Sequence, residues 1–210
     1  MLRQPAPVPG PAYKGSLSGS QFLSMCRAIR SGLPAQRYRH VLGVARTAAR
    51  LAHRHGASPE KARIAALLHD IARGWPAAQL KAYARKHGLP VTPADETSPV
   101  LLHAAVGAEV ARTEFGIEDE EVLGAIRRHT IALPGMTPLE KILYIADAVE
   151  PSRTYPERTK LAALGNESLD KGLLACLKSS LTYLMSREVP IDPGALALYN
   201  QLVGRREAAL

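Results

Sequence analysis

The chain has 210 residues, 46% of them hydrophobic but only 5% aromatic, and a formal net charge of +8. It is long enough for one domain with a real core. Its abundant Ala and Leu and its short β-branched runs predict an all-α fold. No apolar run reaches membrane-spanning length, no signal-peptide core is present, and the two cysteines, Cys26 and Cys176, stand in no metal or redox spacing. A membrane protein and a disulfide scaffold are thereby excluded, and a cytoplasmic protein is expected. The positive charge admits nucleotides, polyphosphate or nucleic acid as partners. Arginine is spread along the chain rather than blocked, which argues against a dedicated nucleic-acid arm.

Residues 1–20 are rich in Pro, Gly and Ser, the composition of a disordered tail; the domain is expected over residues 21–205. Phe22, Met25, Cys26 and Ile29 share one face of a helix predicted over residues 22–29. Pro34 opens a second helix that runs to about residue 55 and stops at Gly56. Its apolar face carries Val41, Val44, Ala48 and Leu51, with His40 on the edge of that face and Arg37 on the same side as His40. His53 and His55, two residues apart, point to opposite sides of a helix and read as surface residues. Ser58 is an N-cap with Pro59 at the first helical position, and its helix is expected to end near residues 73–74. The stretch Ile64–Ala72 is apolar on every side and should pass through the core, yet it carries His69 and Asp70 in its middle. A more polar helix over residues 75–87, with His87 exposed at its end, and a loop over residues 91–98 follow. Pro99 opens a helix to about residue 115 with His103 inside its apolar stripe. Asp119 begins another, in which Val122, Ala125, Ile126 and His129 share a face. Thr137-Pro138-Leu139-Glu140 reads as a capping box for a second helix that is apolar all round, with Asp147 in its middle and Pro151 at its end. A long amphipathic helix over residues 166–186 and a last helix opened by Asp192-Pro193 read as packing elements.

A buried carboxylate without a partner costs several kcal/mol. Asp70 and Asp147 both face that cost, while His40, His69, His103 and His129 lie at or near apolar faces. One shared metal centre is the simplest account of all six. Four His and two Asp exceed what one tetrahedral ion needs, and suit two ions of higher coordination number with open positions. The mixed donor set favours iron, manganese, cobalt or zinc over magnesium or calcium.

The order His40, His69-Asp70, Asp147 resembles that of the HD-domain superfamily, all-helical metal-dependent phosphohydrolases. The segments Arg37–His40, Ala66–Arg73, Leu102-His103, Ala125–Thr130 and Lys141–Arg153 look like the YqeK family of bacterial symmetrical diadenosine tetraphosphate hydrolases, over roughly residues 21–205. His129-Thr130 and the Asp-x-x-Glu-Pro-x-Arg element from Asp147 to Arg153 carry much of that likeness. Ile131-Ala132, where the family often has Thr-Gly, and the small pair Ala148-Val149 are departures that leave every ligand in place.

The resemblance implies a single HD-domain helical bundle that cleaves diadenosine tetraphosphate, and related dinucleoside tetraphosphates, in the middle to give two ADP, with a metal-bound hydroxide as nucleophile. His40, His69, Asp70 and Asp147 are expected to hold the core metal, and His103 and His129 to complete a second position. Asp70 is the expected bridge. Asp70, Asp147, His103 and His129 form the expected catalytic set. Arg37, His103, His129, Thr130 and Arg153 are expected to bind substrate. The cofactor is one or two divalent ions, iron first, with manganese, cobalt or zinc as alternatives. The partners are the dinucleoside polyphosphate and its ADP product, without membrane or nucleic acid, and with a homodimer left open. Another HD hydrolase, acting on nucleoside monophosphates, deoxynucleoside triphosphates or alarmones, is a second reading. A non-catalytic nucleotide-binding module is a third; the ligand set opposes it, because a structural site needs no open positions.

Overall fold

Ala62 and Ile64 to Leu68 have no solvent exposure, and the helix they belong to, α3 (Pro59–Leu68), is the one the others enclose. The computed structural model describes residues 19–207; residues 1–18 of the expected tail lie outside the described residues. The described residues form eleven α-helices, one 3₁₀ turn and no strand. Around α3 stand α1 (Gly19–Gly32), α2 (Ala35–Arg54), α6 (Leu102–Phe115), α7 (Glu120–Arg128) and α8 (Pro138–Val149). Outside them lie α4 (Ala77–Lys86), α5 (Pro93–Thr97), α9 (Arg158–Glu167), α10 (Leu169–Ser186) and α11 (Pro193–Glu207). No helix among the described residues is long and apolar enough to cross a membrane, and both cysteines are free.

Two short connections position everything that follows. A few residues turn α2 into α3, and a few turn α6 into α7, so each pair runs antiparallel. The beginning of α2 therefore meets the end of α3, and the beginning of α6 meets the end of α7. Gly56 and Gly116, with φ of +72° and +64°, supply the left-handed residue at those two turns. Ser58 accepts from the Lys61 N–H, Asp119 accepts from the Glu121 and Val122 N–H groups, and Thr137 and Glu140 form the expected capping box.

The structure corrects several expectations. Gly19 and Ser20 open α1 instead of ending the tail. α3 stops at Leu68, not near Gly74. Beyond it the chain stays buried to Ala72 but runs through turns, with Ile71 N–H on Leu68 C=O, Arg73 N–H on Asp70 C=O and Trp75 N–H on Ala72 C=O. An apolar run cannot distinguish such a buried turn from a helix. The supposed loop over residues 91–98 holds the single turn α5, closed by Asp95 accepting from the Thr92 N–H and hydroxyl. The single helix expected over residues 166–186 is two, because Ser168 is extended (φ −155°, ψ 137°), capping the end of α9 and the start of α10. His55 is not free at the surface: its Nε2 lies 2.7 Å from the Gly165 carbonyl and ties α2 to α9. His87 is half-buried and stacks on Tyr83 at 4.1 Å between ring centroids.

α9 and α10 approach so closely that a Cβ on Gly172 would lie 2.5 Å from the Gly165 Cα and 3.1 Å from Ile145 Cδ1. Backbone cannot move aside as a side-chain end can. Gly172→Ala is therefore expected to destabilise the protein by about 1–3 kcal/mol in spite of alanine's better helix propensity. Gly204, also helical, has nothing within 4 Å of such a Cβ, and Gly204→Ala should be neutral or stabilising. Denaturant midpoints of the two variants check this; equal shifts would refute the close-contact account.

Candidate metal centre

Five helix ends converge on one point. His40 comes from the second turn of α2, His69 caps the end of α3, and Asp70 follows it. His103 is the second residue of α6, His129 caps the end of α7, and Asp147 lies in the last turn of α8. His69 is fully buried, and Asp70, His103, His40 and His129 are 3–5% exposed. The six expected ligand residues are thus in one cluster. Asp147 departs from expectation: it sits near the end of its helix and its side chain is 25% exposed. It faces the opening to solvent, together with the half-exposed Arg37 and Arg153.

The Asp70 carboxylate is the centre. Its Oδ2 lies 3.0 Å from Arg37 Nη1, 3.4 Å from His69 Nε2 and 3.8 Å from His40 Nε2. Its Oδ1 lies 3.3 Å from His103 Nε2 and 3.9 Å from His129 Nε2. Asp147 Oδ1 is 3.0 Å from His40 Nε2. Two triads, His40/His69/Asp147 and His69/Asp70/His129, each place their donor atoms within 4.8 Å of one another.

The local folding of three histidines follows one rule. The Nδ1–H of His69 bonds the Ala66 carbonyl, that of His103 the Val100 carbonyl, and that of His129 the Ile126 carbonyl, each three residues earlier. In a continuing helix that carbonyl would accept from the N–H four residues on. For His69 and His129 the side chain takes it at the point where the helix ends. Each ring thereby carries its proton on Nδ1 and turns Nε2 inward. His40 Nδ1 faces Glu150 Oε1 at 2.9 Å.

These donors fit a divalent cation. Nε2 of His40 and of His69 are buried and make no hydrogen bond among the described residues; the nearby Asp147 oxygen lies outside hydrogen-bonding geometry. A buried polar atom left so costs about 1–3 kcal/mol. The Nε2 atoms of His103 and His129 are 3.1 Å apart and, with Nδ1 already donated, face each other with lone pairs. Two nitrogens about 2.1 Å from a common ion, at right angles, are separated by about that much. Neutral imidazoles around carboxylates are a first-row transition-metal donor set.

Charge at the site is tightly coupled. Burial works to raise the pKa of Asp70, but the neighbouring His69, His103 and His129 hold the carboxylate far below its usual range. Burial likewise opposes ionisation of Asp147, and His40, His69 and Arg153 outweigh it. Burial would lower His69, yet Asp70 and Asp147 raise it to about 9. Burial, with the neighbouring His69 and His103, pushes His129 down to about 3.

Arg37 and Arg153, expected on phosphate, each hold a carboxylate. Arg37 donates to Asp70, and Arg153 donates from Nη2 to Asp147 Oδ1 at 2.6 Å and from Nε to the Asp147 carbonyl at 3.0 Å. Thr130 is half-buried in the turn after α7. Glu150, the Glu of the Asp-x-x-Glu-Pro-x-Arg element, was given no role in the sequence and is 1% exposed. The argument applied to Asp70, a charge inside an apolar run, would have found it just before Pro151. The end of α8 is closed by side chains: Arg153 on the Asp147 carbonyl, Tyr155 on Ala148 and Arg158 on Val149, which satisfies carbonyls a helix end leaves open.

Residues 37–152 match the HD domain family. The chain is 39% identical over 175 residues to the symmetrical bis(5'-nucleosyl)-tetraphosphatase of Bacillus subtilis (strain 168), covering 83% of this chain and 94% of that protein. It is 34% identical over 167 residues to the protein of the same name from Staphylococcus aureus (strain NCTC 8325 / PS 47), covering 79% and 86%. The crystal structure of a predicted HD superfamily hydrolase involved in NAD metabolism from Clostridium acetobutylicum is similar in fold, with a TM-score of 0.84 and 34% identity over 91% of this chain and 100% of that one. With its buried His-Asp pair at the meeting point of five helix ends, the chain belongs to the HD-domain superfamily and, within it, to the YqeK-type family that holds the symmetrical bis(5'-nucleosyl)-tetraphosphatases.

Proposed function

We propose that this protein hydrolyses diadenosine tetraphosphate, and related dinucleoside tetraphosphates, symmetrically to two ADP. The observation that carries the reading is the cluster of four inward-facing imidazoles around Asp70, in a chain whose relatives of matching length bear that activity in their names. His40, His69, Asp70, His103, His129 and Asp147 hold one or two divalent ions. Iron is the first choice, with manganese, cobalt or zinc as alternatives, on the softness of the imidazole-rich set. A bound divalent ion supplies a Lewis acid that lowers the pKa of a water molecule and offsets phosphate charge.

The chain's own residues do the rest. Asp70 presents its two oxygens to different histidine pairs and would be shared between the ions if two were bound. His103 and His129 lie beside Asp70 Oδ1, opposite the oxygen that faces His40 and His69, and stand beside the substrate phosphates. Arg37 and Arg153 each use one edge of a five-donor guanidinium on a carboxylate and keep donors for phosphate oxygens at the opening. The Thr130 hydroxyl, beside His129, is a further phosphate contact.

Product analysis tests the reaction. Manganese- or iron-loaded protein incubated with diadenosine tetraphosphate should yield ADP as the only nucleotide product. Asp147→Ala should lower kcat/KM by about a hundredfold or more, a loss of about 2.7 kcal/mol of transition-state stabilisation. ATP with AMP would overturn the position of cleavage, and no turnover with any of the four metals would overturn the substrate.

The pH dependence of metal binding has a definite sign. His69, raised to about 9, is protonated below that pH, so an incoming ion must displace its proton. Mn²⁺ affinity should therefore climb by up to about tenfold per unit between about pH 7 and pH 9 and level off above. Calorimetric titration in buffers of different ionisation enthalpy measures both the slope and the released proton; a flat profile contradicts the expectation.

A further inference from the structure

Glu150 is the most buried carboxylate of the described residues, 1% exposed, yet neither ligand triad includes it. It is held by three donors. His40 Nδ1–H lies 2.9 Å from Oε1, the Ser152 N–H donates to Oε2 at 2.9 Å, and the Ser152 hydroxyl donates to Oε1. Across this contact α2 presents Gly43. A Cβ there would overlap Glu150 Oε2 and come within 3.2 Å of the carboxylate carbon. We propose that Glu150, seated against Gly43, is the positioning residue that fixes the tautomer and donor strength of His40 at the metal centre. The proposal rests on reading His40 as a metal ligand.

His40 needs such a partner because of where it lies. His69, His103 and His129 find a backbone acceptor for Nδ1–H at a helix end or beginning. His40 is inside α2, where the carbonyls of the preceding turn are taken by the helix's own N–H groups. An acceptor has to come from another element, and α8 supplies it. A carboxylate in this role keeps the proton on Nδ1, leaves the Nε2 lone pair free and raises the ring's basicity toward a metal.

Acceptor-only chemistry matters at this position. Of the three groups that face the carboxylate, two, His40 Nδ1–H and the Ser152 N–H, can only donate while Nε2 is kept free, and the Ser152 hydroxyl donates as well. A glutamine offers one oxygen and one NH₂. With its oxygen on His40, the NH₂ meets the Ser152 N–H. Reversed, the NH₂ donates to Nδ1, and the His40 proton moves to Nε2, where it blocks coordination. Gly43 protects the same contact from the other side. A free carboxylate would swing away from a new methyl group at little cost, but this one would have to leave three hydrogen bonds.

The test compares wild type, Glu150→Gln, Gly43→Ala and the double variant in three measurements: Mn²⁺ affinity by calorimetry, the His40 ring protonation site by ¹⁵N NMR of the metal-free protein, and metal-free melting temperature. Each single variant should weaken Mn²⁺ binding by about 10–100-fold. In wild type the neutral His40 ring should carry its proton on Nδ1, and in Glu150→Gln part of the population should carry it on Nε2. The double variant should lose less than the product of the single losses, since both changes act on one contact. Wild-type Mn²⁺ affinity in Glu150→Gln overturns the proposal. So does a loss matched by collapse of the melting temperature while the His40 proton stays on Nδ1, since Glu150 would then be only structural. None of these measurements uses a substrate. Failure to cleave dinucleoside tetraphosphates removes the proposed reaction and leaves this assignment standing, whereas a wild type that binds no Mn²⁺ overturns the assignment itself.

Discussion

The structure depends on a carboxylate taken out of water. Asp70 is 3% exposed, and a charge so placed is tolerated only where opposite charge and hydrogen-bond donors surround it. Arg37 supplies one fixed positive charge at 3.0 Å. His69, which holds its proton up to about pH 9, supplies a second, while His103 and His129 turn the lone pairs of Nε2 inward. Lone pairs and carboxylate oxygens aimed at the same small volume are mutually repulsive unless a cation occupies it. The fold therefore spends core volume on an arrangement that is unfavourable without a cation, and that is the physical mark of a cation site as opposed to a buried polar network.

Helix ends are what make the arrangement possible. A side chain inside a helix radiates from a backbone whose donors and acceptors are already used. At an end, carbonyls of the last turn are open, and His69 and His129 each take one with Nδ1. One interaction thus does two things: it terminates the helix and it orients the ring. The antiparallel pairing of α2 with α3 and of α6 with α7 then brings the beginning of one helix to the end of the next. α8 adds Asp147 and Glu150 at an end whose carbonyls are held by Arg153, Tyr155 and Arg158. His40 is the exception that shows the constraint, since it sits inside a helix and depends on Glu150.

The ligand cluster was legible because a charge in an apolar run is costly, and that cost is independent of the exact backbone. His69-Asp70 and Asp147 were conspicuous for this reason, and His40, His103 and His129 followed from their place on apolar faces. The helix starts were equally legible, because Ser58, Asp119 and Thr137 act through bonds to residues two or three positions on. What was not legible were helix ends inside buried segments. Apolar periodicity continues through the turns after Leu68, and within residues 166–186 it likewise masks the break at Ser168, whose only local signal is its N-cap bond from the Lys171 N–H. Arg37 and Arg153 were placed at the right site, but their contacts to Asp70 and Asp147 could not be read from spacing, because those contacts depend on how separate elements meet.

The charge of the site links metal loading to substrate recognition. Before a metal binds, the protein contributes three carboxylates, Asp70, Asp147 and Glu150, against two guanidiniums, Arg37 and Arg153, and the proton that His69 holds up to about pH 9. That balance leaves no net positive charge, and Glu150 is neutralised in part by its hydrogen bonds to His40 and Ser152. A polyphosphate chain approaching such a cluster gains nothing from it at close range, where the low dielectric makes charge count most. A divalent ion, displacing that proton, would make the site positive, and a second would make it strongly so. The positive charge of the chain as a whole draws polyanions toward the surface, but the last few ångströms depend on the ion. Binding of a polyphosphate and binding of the metal are therefore thermodynamically coupled, each strengthening the other by the same factor. Arg37 and Arg153 stand where that coupling would be felt: an ion held by Asp70 and Asp147 would compete with the two guanidiniums for the same oxygens.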